Sequence, residues 1–153
     1  CSDIDARYEG AECYSADTDE EKKFAWGRLR NAKGEVIGEE NLHGFGPRCV
    51  YWDADLQREL LYRHTIADYR GQPQTKAIEG NVAAVADILG DWREEIITTV
   101  PGELRVYTTT IPAVDRRVCL LQDPLYRMNV VVAAMGYLQV PMTSYDLATS
   151  GRQ

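Results

Sequence analysis

The sequence predicts an all-β fold of the β-propeller type, with strands enough for about three blades. Three observations carry this. Short runs rich in β-branched and aromatic residues recur, bounded by Gly, Pro, Asn or Asp. No long stretch shows the apolar spacing of an amphipathic helix. One unit also occurs three times: an acidic loop, then a Glu, then an apolar strand. A unit that recurs every roughly 20–50 residues marks propellers and solenoids. A lone blade cannot bury both faces, so about three blades form a piece of a larger propeller. Further chain, a partner chain or self-assembly would have to complete it.

The central copy of the unit is the stretch 82–100. An apolar run ends in Asp87, a tight turn follows at Leu89-Gly90-Asp91, and Glu94-Glu95 lead into Ile96-Ile97-Thr98-Thr99-Val100. The other copies are Asp3-Ile4-Asp5 with Gly10 and Glu12, and Asp53-Ala54-Asp55 with Arg58-Glu59. Hard cations such as Ca²⁺ take six to eight oxygen ligands, and closely spaced carboxylates around a turn supply them. The expected metal ligands are therefore Asp3, Asp5 and Glu12; Asp53, Asp55 and Glu59; and Asp87, Asp91 and Glu95. Leu89 stands where a full calcium loop has another oxygen ligand. Acidic residues also gather in solvated turns without any ion, and a short motif alone carries that risk.

Taken in order, residues 2–16 form the first acidic loop and a short strand, and 17–23 a charged connection. Phe24–Arg30 is a strand, Asn31-Ala32-Lys33-Gly34 a hairpin turn, and 35–39 the returning strand. Residues 41–47, with two Gly and a Pro, are a loop. A strand over 48–52 enters the second acidic loop, and strands at 60–64 and 65–68 follow. The polar stretch 70–80, with Gly71, Pro73 and Gly80, reads as an exposed loop, the kind of element that carries binding residues. Pro101-Gly102 is a turn and 103–110 a strand. Residues 118–122 read as a short strand, and Asp123-Pro124 as a turn. The run 128–135 reads equally as a buried strand or a short helix. Residues 136–145 are irregular and the tail beyond Asp146 is polar.

The chain has 153 residues, enough for one domain with a real core. Hydrophobic content of 44% and charged content of 27% are those of a globular protein. A net charge of −7 argues against nucleic acid as partner, because phosphate binding needs a basic surface. No stretch reaches the roughly 18 apolar residues of a membrane span. Cys1, Cys13, Cys49 and Cys119 match no zinc spacing. They fit one or two disulfides in an oxidising compartment, or buried thiols. His43 and His64 are isolated.

Several segments together resemble the rhamnogalacturonan lyases of polysaccharide lyase family 11. They are residues 3–12, Trp52-Asp53-Ala54-Asp55-Leu56-Gln57-Arg58-Glu59, Ala86-Asp87-Ile88-Leu89-Gly90-Asp91-Trp92-Arg93-Glu94-Glu95, Leu104-Arg105-Val106-Tyr107, Asp123-Pro124-Leu125-Tyr126-Arg127 and Gly136-Tyr137. The resemblance covers nearly the whole chain and points to the C-terminal part of that catalytic domain. It implies an eight-bladed propeller whose N-terminal blades lie outside this chain. It also implies bound Ca²⁺, secretion or periplasmic location, and β-elimination on the galacturonate–rhamnose backbone of pectin, an acidic polysaccharide.

Family members carry a loop Asn-Gly-Thr-Lys-Gly-Asn-Pro ahead of the Ala-Asp-Leu-Leu-Gly-Asp-Trp segment. Its Asn-Gly-Thr binds rhamnose and its Lys is implicated in catalysis. Here Gly80 and Asn81 match, Glu79 falls on the Lys, and Lys76-Ala77-Ile78 fall on Asn-Gly-Thr. The resemblance thus implies Gly80, Asn81 and Tyr137 as substrate-binding residues. Catalytic candidates are Arg7, Lys76 and Glu79, with Lys76 replacing the family Lys from a shifted position. A lyase must remove the proton α to a carboxylate and expel the glycosidic oxygen, so it needs a positioned base and a neutraliser for that carboxylate. Two further functions stay open: a non-catalytic, calcium-stabilised carbohydrate-binding propeller, and a lyase for another rhamnose–uronate polymer. For Tyr137 packing weighs as much as binding. Arg93 reads as a partner of the loop carboxylates, and Trp52 and Trp92 as packing between blades.

Overall fold

The computed structural model describes residues 1–42, 48–137 and 139–148. Among these residues, ten strands form three antiparallel sheets. The first holds β1 (Cys13–Thr18), β2 (Phe24–Arg30) and β3 (Val36–Gly38). The second holds β4 (Arg48–Val50), β5 (Glu59–Tyr62), β6 (Thr65–Ala67) and β7 (Pro73–Thr75). The third holds β8 (Asn81–Ala86), β9 (Glu95–Val100) and β10 (Glu103–Tyr107). Neighbours in sequence are neighbours in each sheet, which is the simplest antiparallel connection. The strand expectations therefore hold for most of the chain.

Three segments differ. Within 70–80 the structure has β7, an edge strand rather than a bare loop. Pro73 stands at its first position, where a missing N–H is tolerated. Residues 118–122 are not a strand. They hold one 3-10 turn, Leu120–Gln122, because the Leu120 N–H donates to Asp87 Oδ2 (2.7 Å) instead of to a ladder. The 128–135 ambiguity resolves to helix α1, Pro124–Ala134. Asp123 caps it by accepting from the Leu125 N–H, and Pro124 fits the first turn. The expected loop at 41–47 lies largely outside the described residues, as does the tail from 149.

Two apolar layers join the sheets. Leu29, Leu42, Ile4 and Cys49 lie between the first and second sheets. Val50, Trp52, Leu61, Ile66, Ile78, Val85 and Ile96 lie between the second and third. Each fully buried large apolar side chain contributes about 1.5–3 kcal/mol. A third cluster, Tyr51, Trp92, Leu120, Tyr126 and Leu147, gathers where α1 meets the acidic loops. Tyr126 near the start of α1 donates its hydroxyl to Glu94 and accepts from the Asp87 N–H. Ala133 near its end lines a crevice with Arg48 and Val85. So α1 starts at the acidic-loop end of the sheets and runs back along β8.

Cys1 and Cys13 form a disulfide; Cys49 is a buried thiol and Cys119 a half-buried one.

Candidate functional site

The three acidic loops share one frame. In the second and third, the last residue of an inner strand pairs with the Glu that opens the next strand, Val50 with Glu59 and Ala86 with Glu95; in the first, an isolated bridge joins Ser2 to Glu12 just ahead of β1. That Glu is buried and turns its carboxylate back into the loop. Glu12 Oε2 accepts from the Ile4 and Asp5 N–H groups, Glu59 Oε2 from Trp52 N–H, and Glu95 Oε2 from Ile88 and Leu89 N–H. Backbone donors that a tight loop would otherwise strand are thereby satisfied. An Asp in each loop then accepts from the N–H two residues on: Asp5 from Arg7, Asp55 from Gln57, Asp91 from Arg93.

The residue two beyond that Asp separates the loops. Arg7 and Arg93 fold back and pair with Asp5 and Asp91. Gln57 carries no charge. Among the described residues, only Asp53, Asp55 and Glu59 bring three ligand oxygens within 4.8 Å of one another. The structure does not gather Asp3, Asp5 and Glu12, or Asp87, Asp91 and Glu95, in that way. Asp87 is fully buried and spends its oxygens on Gly90, Trp92 and Leu120 N–H groups. Trp92 itself sits at φ 71, and those bonds hold it there.

Burial, then the charge of Asp53, pushes the Glu59 carboxyl up to about 8. Burial also raises Asp55, while Arg7 holds Asp5 below its ordinary value. Gln74 Nε2 donates to Asp53 Oδ2 (2.8 Å) and Asp68 Oδ1 (2.7 Å), so its amide bridges the second loop to the β6–β7 turn. An oxygen-rich set with no nearby guanidinium partner of its own fits a hard cation.

The residue just before each Glu forms a seam between sheets. The Arg58 N–H donates to Asp3 O (2.7 Å), and the Glu94 N–H donates to Tyr51 O (2.8 Å). The same bond thus recurs from the second loop to the first and from the third to the second. Glu94 Oε2 also accepts from Tyr51 N–H, and Glu94 Oε1 accepts from Arg58 (3.1 Å) and the Tyr126 hydroxyl (2.6 Å). Arg58 lies 4.2 Å from the centre of the Tyr51 ring. Both charged groups are buried, Arg58 at 3% and Glu94 at 0% exposure. Sequence reasoning missed this network. Its signal was the opposite charge at equivalent positions of two loop copies.

The 76–82 stretch turns its candidate residues in different directions. Gly80 has φ 89, and a Cβ there would lie 2.6 Å from Thr99 O, so only Gly fits. Asn81 opens β8 and is exposed. Glu79 points to the outer strand, pairing with Arg105, and its N–H donates to the Tyr107 hydroxyl. Lys76 points elsewhere, into a cavity of about 490 Å³ that Tyr62, Tyr69, Arg70 and Pro73 also line. It makes no ion pair among the described residues. Tyr137 follows α1 and is 66% exposed. Tyr137 comes three residues after the end of α1, which packs along β8. Arg7 belongs to the acidic-loop end, so the structure does not bring it beside them.

The family model "Rhamnogalacturonan lyase family 11, C-terminal domain" matches residues 1–152. The chain is 36% identical, over 163 residues, to the rhamnogalacturonan endolyase YesW of Bacillus subtilis, covering 95% of this chain and 24% of that protein. It is 30% identical to the exolyase YesX of the same organism, covering 95% and 27%. The crystal structure of YesW superposes with a TM-score of 0.78 at 33% identity, over 99% of this chain and 27% of that one. A rhamnogalacturonan lyase PL11 of Bacillus licheniformis superposes with 0.76, also at 33%, over 95% and 26%. The chain spans about a quarter of the length of these relatives. It belongs to rhamnogalacturonan lyase family 11, as that family's C-terminal domain.

Proposed function

We propose that this chain is the C-terminal part of a lyase that cleaves the galacturonate–rhamnose backbone of rhamnogalacturonan by β-elimination. The family match over residues 1–152 carries this reading. The three sheets are read as blades of one eight-bladed propeller, with the remaining blades supplied by the rest of the polypeptide. On this reading the substrate is bound by Gly80, Asn81 and Tyr137. Tyr137 stacks on a sugar ring, and Asn81 hydrogen-bonds a hydroxyl. Lys76, the cation of this stretch without an ion-pair partner among the described residues, faces the uronate. Arg7 and Glu79 are each engaged in pairs within the chain and take no step here. An exposed pair such as Glu79–Arg105 is weak, and its role is to fix the loop.

The second acidic loop is read as a Ca²⁺ site held by Asp53, Asp55 and Glu59. When bound, the ion neutralises the three carboxylates and fixes the loop. The Cys1–Cys13 disulfide favours an oxidising location, secreted or periplasmic.

The test is the ultraviolet absorbance of unsaturated uronate when the full-length protein acts on rhamnogalacturonan. Lys76→Ala should lower kcat, and Tyr137→Ala should weaken kcat/KM by about 1–3 kcal/mol if sugar stacking resembles other aromatic contacts. The Glu79–Arg105 pair, where the family has a catalytic Lys, supports a second reading: a calcium-stabilised propeller that binds the polymer without cleaving it. Polymer binding by folded, calcium-loaded protein with no unsaturated product would establish that reading instead.

A further inference from the structure

The cavity of about 490 Å³ that Lys76 enters is walled by one face of the second sheet. Opposed residues of neighbouring strands share a face, and Leu60 pairs with Ala67, Tyr62 with Thr65, and Ala67 with Pro73. All of these line the cavity. At Leu60 the face packs on the apolar layer shared with the first sheet. Toward the edge strand β7 it opens into the cavity instead.

The rim is tied down. The β6–β7 turn closes on a bond from the Gly71 N–H to Asp68 O (3.0 Å), with Arg70 at φ 59. The Tyr69 hydroxyl donates to Glu40 (3.1 Å), and the Arg70 guanidinium pairs with the same carboxylate. Both contacts reach across to the segment that follows β3 in the first sheet.

The charges on this wall do not all cancel. Arg70 and Glu40 neutralise each other, and Asp68 accepts from Gln74 (2.7 Å). Lys76 is exposed and makes no ion pair among the described residues. One uncompensated positive charge therefore sits beside two phenol rings. Arg63 lies 5.3 Å from the centre of the Tyr62 ring, and Arg70 5.1 Å from that of Tyr69. A guanidinium over one ring face helps to fix the plane of the other. Small-molecule sites of this size combine aromatic and apolar walls with a few placed polar groups.

We propose that this cavity is a binding subsite for one uronate unit of an acidic polysaccharide. The apolar face of the sugar lies against Tyr62 and Tyr69, and its carboxylate meets Lys76. A neutral hexose offers the face without the charge, and an inorganic anion the charge without the face; a sugar acid uses both. The lyase reading enters only through the identity of the polymer, since the subsite binds without turnover.

Calorimetric titration of the full-length protein with tetragalacturonate, at one fixed calcium concentration, tests this. The probe contains no galacturonate–rhamnose bond, so binding is read apart from cleavage. Lys76→Gln should weaken affinity roughly tenfold or more, as expected for a lost hydrogen bond to a charged group. Lys76→Arg should keep most of it. Tyr62→Ala should cost roughly three- to tenfold. Tyr137→Ala should leave affinity unchanged, and neutral galactotetraose should bind at least about tenfold more weakly than the acid. The proposal is overturned if tetragalacturonate does not bind, or if Lys76→Gln and Tyr62→Ala bind it like the parent. It is also overturned if Tyr137→Ala weakens binding as much as Lys76→Gln, or if equimolar sulfate displaces the sugar. Binding lost in the Lys76 and Tyr62 variants, in a protein that releases no unsaturated product from rhamnogalacturonan, would keep the subsite and sink the lyase reading.

Discussion

The second and third acidic loops have the same backbone frame and opposite electrostatics. In each, a buried Glu caps the loop and an Asp closes a turn two residues on. They part at two adjacent positions, Gln57-Arg58 against Arg93-Glu94. Arg93 cancels the charge of its own loop by pairing with Asp91, and also donates to Ile111 O, so the third loop closes by itself. Gln57 leaves three carboxylate oxygens facing one another, so the second loop could hold a cation. The neighbouring position does the reverse: Arg58 and Glu94 complete each other across the sheets. One repeat frame thus yields a self-contained loop, an open carboxylate cluster and a cross-link, according to two side chains.

Breaking the cross-link should have the largest effect. Glu94→Ala leaves Arg58 buried without its partner, at a cost of about 3–5 kcal/mol. Urea unfolding of the full-length protein reads this as a lower midpoint at unchanged slope. The Arg58→Met, Glu94→Leu double variant should recover much of the loss, since it leaves no orphan charge. A single variant that unfolds like the parent would show that the pair holds nothing together.

Next comes the cation. With calcium at a hundred times its Kd, the parent should gain about 2.7 kcal/mol of stability over chelated protein. Gln57→Arg gives the second loop the third loop's guanidinium, and the gain should disappear. Equal calcium shifts in both proteins would place the ion elsewhere.

A smaller effect is expected from pH on chelated protein. Folded Glu59 keeps its proton up to about pH 8, whereas the unfolded carboxyl releases it near 4.5. Between those values the folded state binds more protons, so this group's contribution to stability falls as pH rises and levels off above about 8. Calcium should flatten or reverse the slope by holding the ionised form. Glu59→Gln should reduce the slope in chelated protein, with the remainder left to other buried carboxyls such as Asp3, raised to about 7; an unchanged slope would assign it wholly to those groups.

The smallest change is expected from Arg7→Gln, which gives the first loop the second loop's neutral residue. Its pair with Asp5 is exposed on the Arg side, so melting should hardly move. A calcium titration by calorimetry should still show whether freeing Asp5 adds a binding event. None would mean that a missing Arg does not suffice and the spacing of the carboxylates matters as well.

Much of the fold was legible because strands and turns are local. β2 was readable from Phe24–Arg30 and its Asn-Gly turn, and β9 from its β-branched run. Residues 118–122 were not, because a non-local bond from Asp87 bends them away from any ladder. The helical state of α1 depends on Asp123 as cap, and an apolar run such as Met-Asn-Val-Val-Val does not distinguish helix from strand. The acidic loops were visible as a repeat. What separates them was not, since three acidic clusters look alike until the orientation of Arg7, Gln57 and Arg93 is known. The same holds for Lys76 and Glu79. Three residues apart in sequence, they face different sheets.

The Arg58–Glu94 seam has a consequence for how the molecule comes apart. In a stack of repeats, overall stability is a sum of the unit terms and the nearest-neighbour terms. A buried ion pair reinforced by Tyr51 and Tyr126 concentrates the neighbour term at one boundary. Fraying one sheet from that side would strand a charge in the apolar interior, so the second and third sheets should open together as one cooperative unit. Among the described residues, no charged pair of this kind joins Ala11 to Arg58 at the boundary between the first and second sheets, where a backbone bond and apolar packing do the joining. Local opening should therefore begin there.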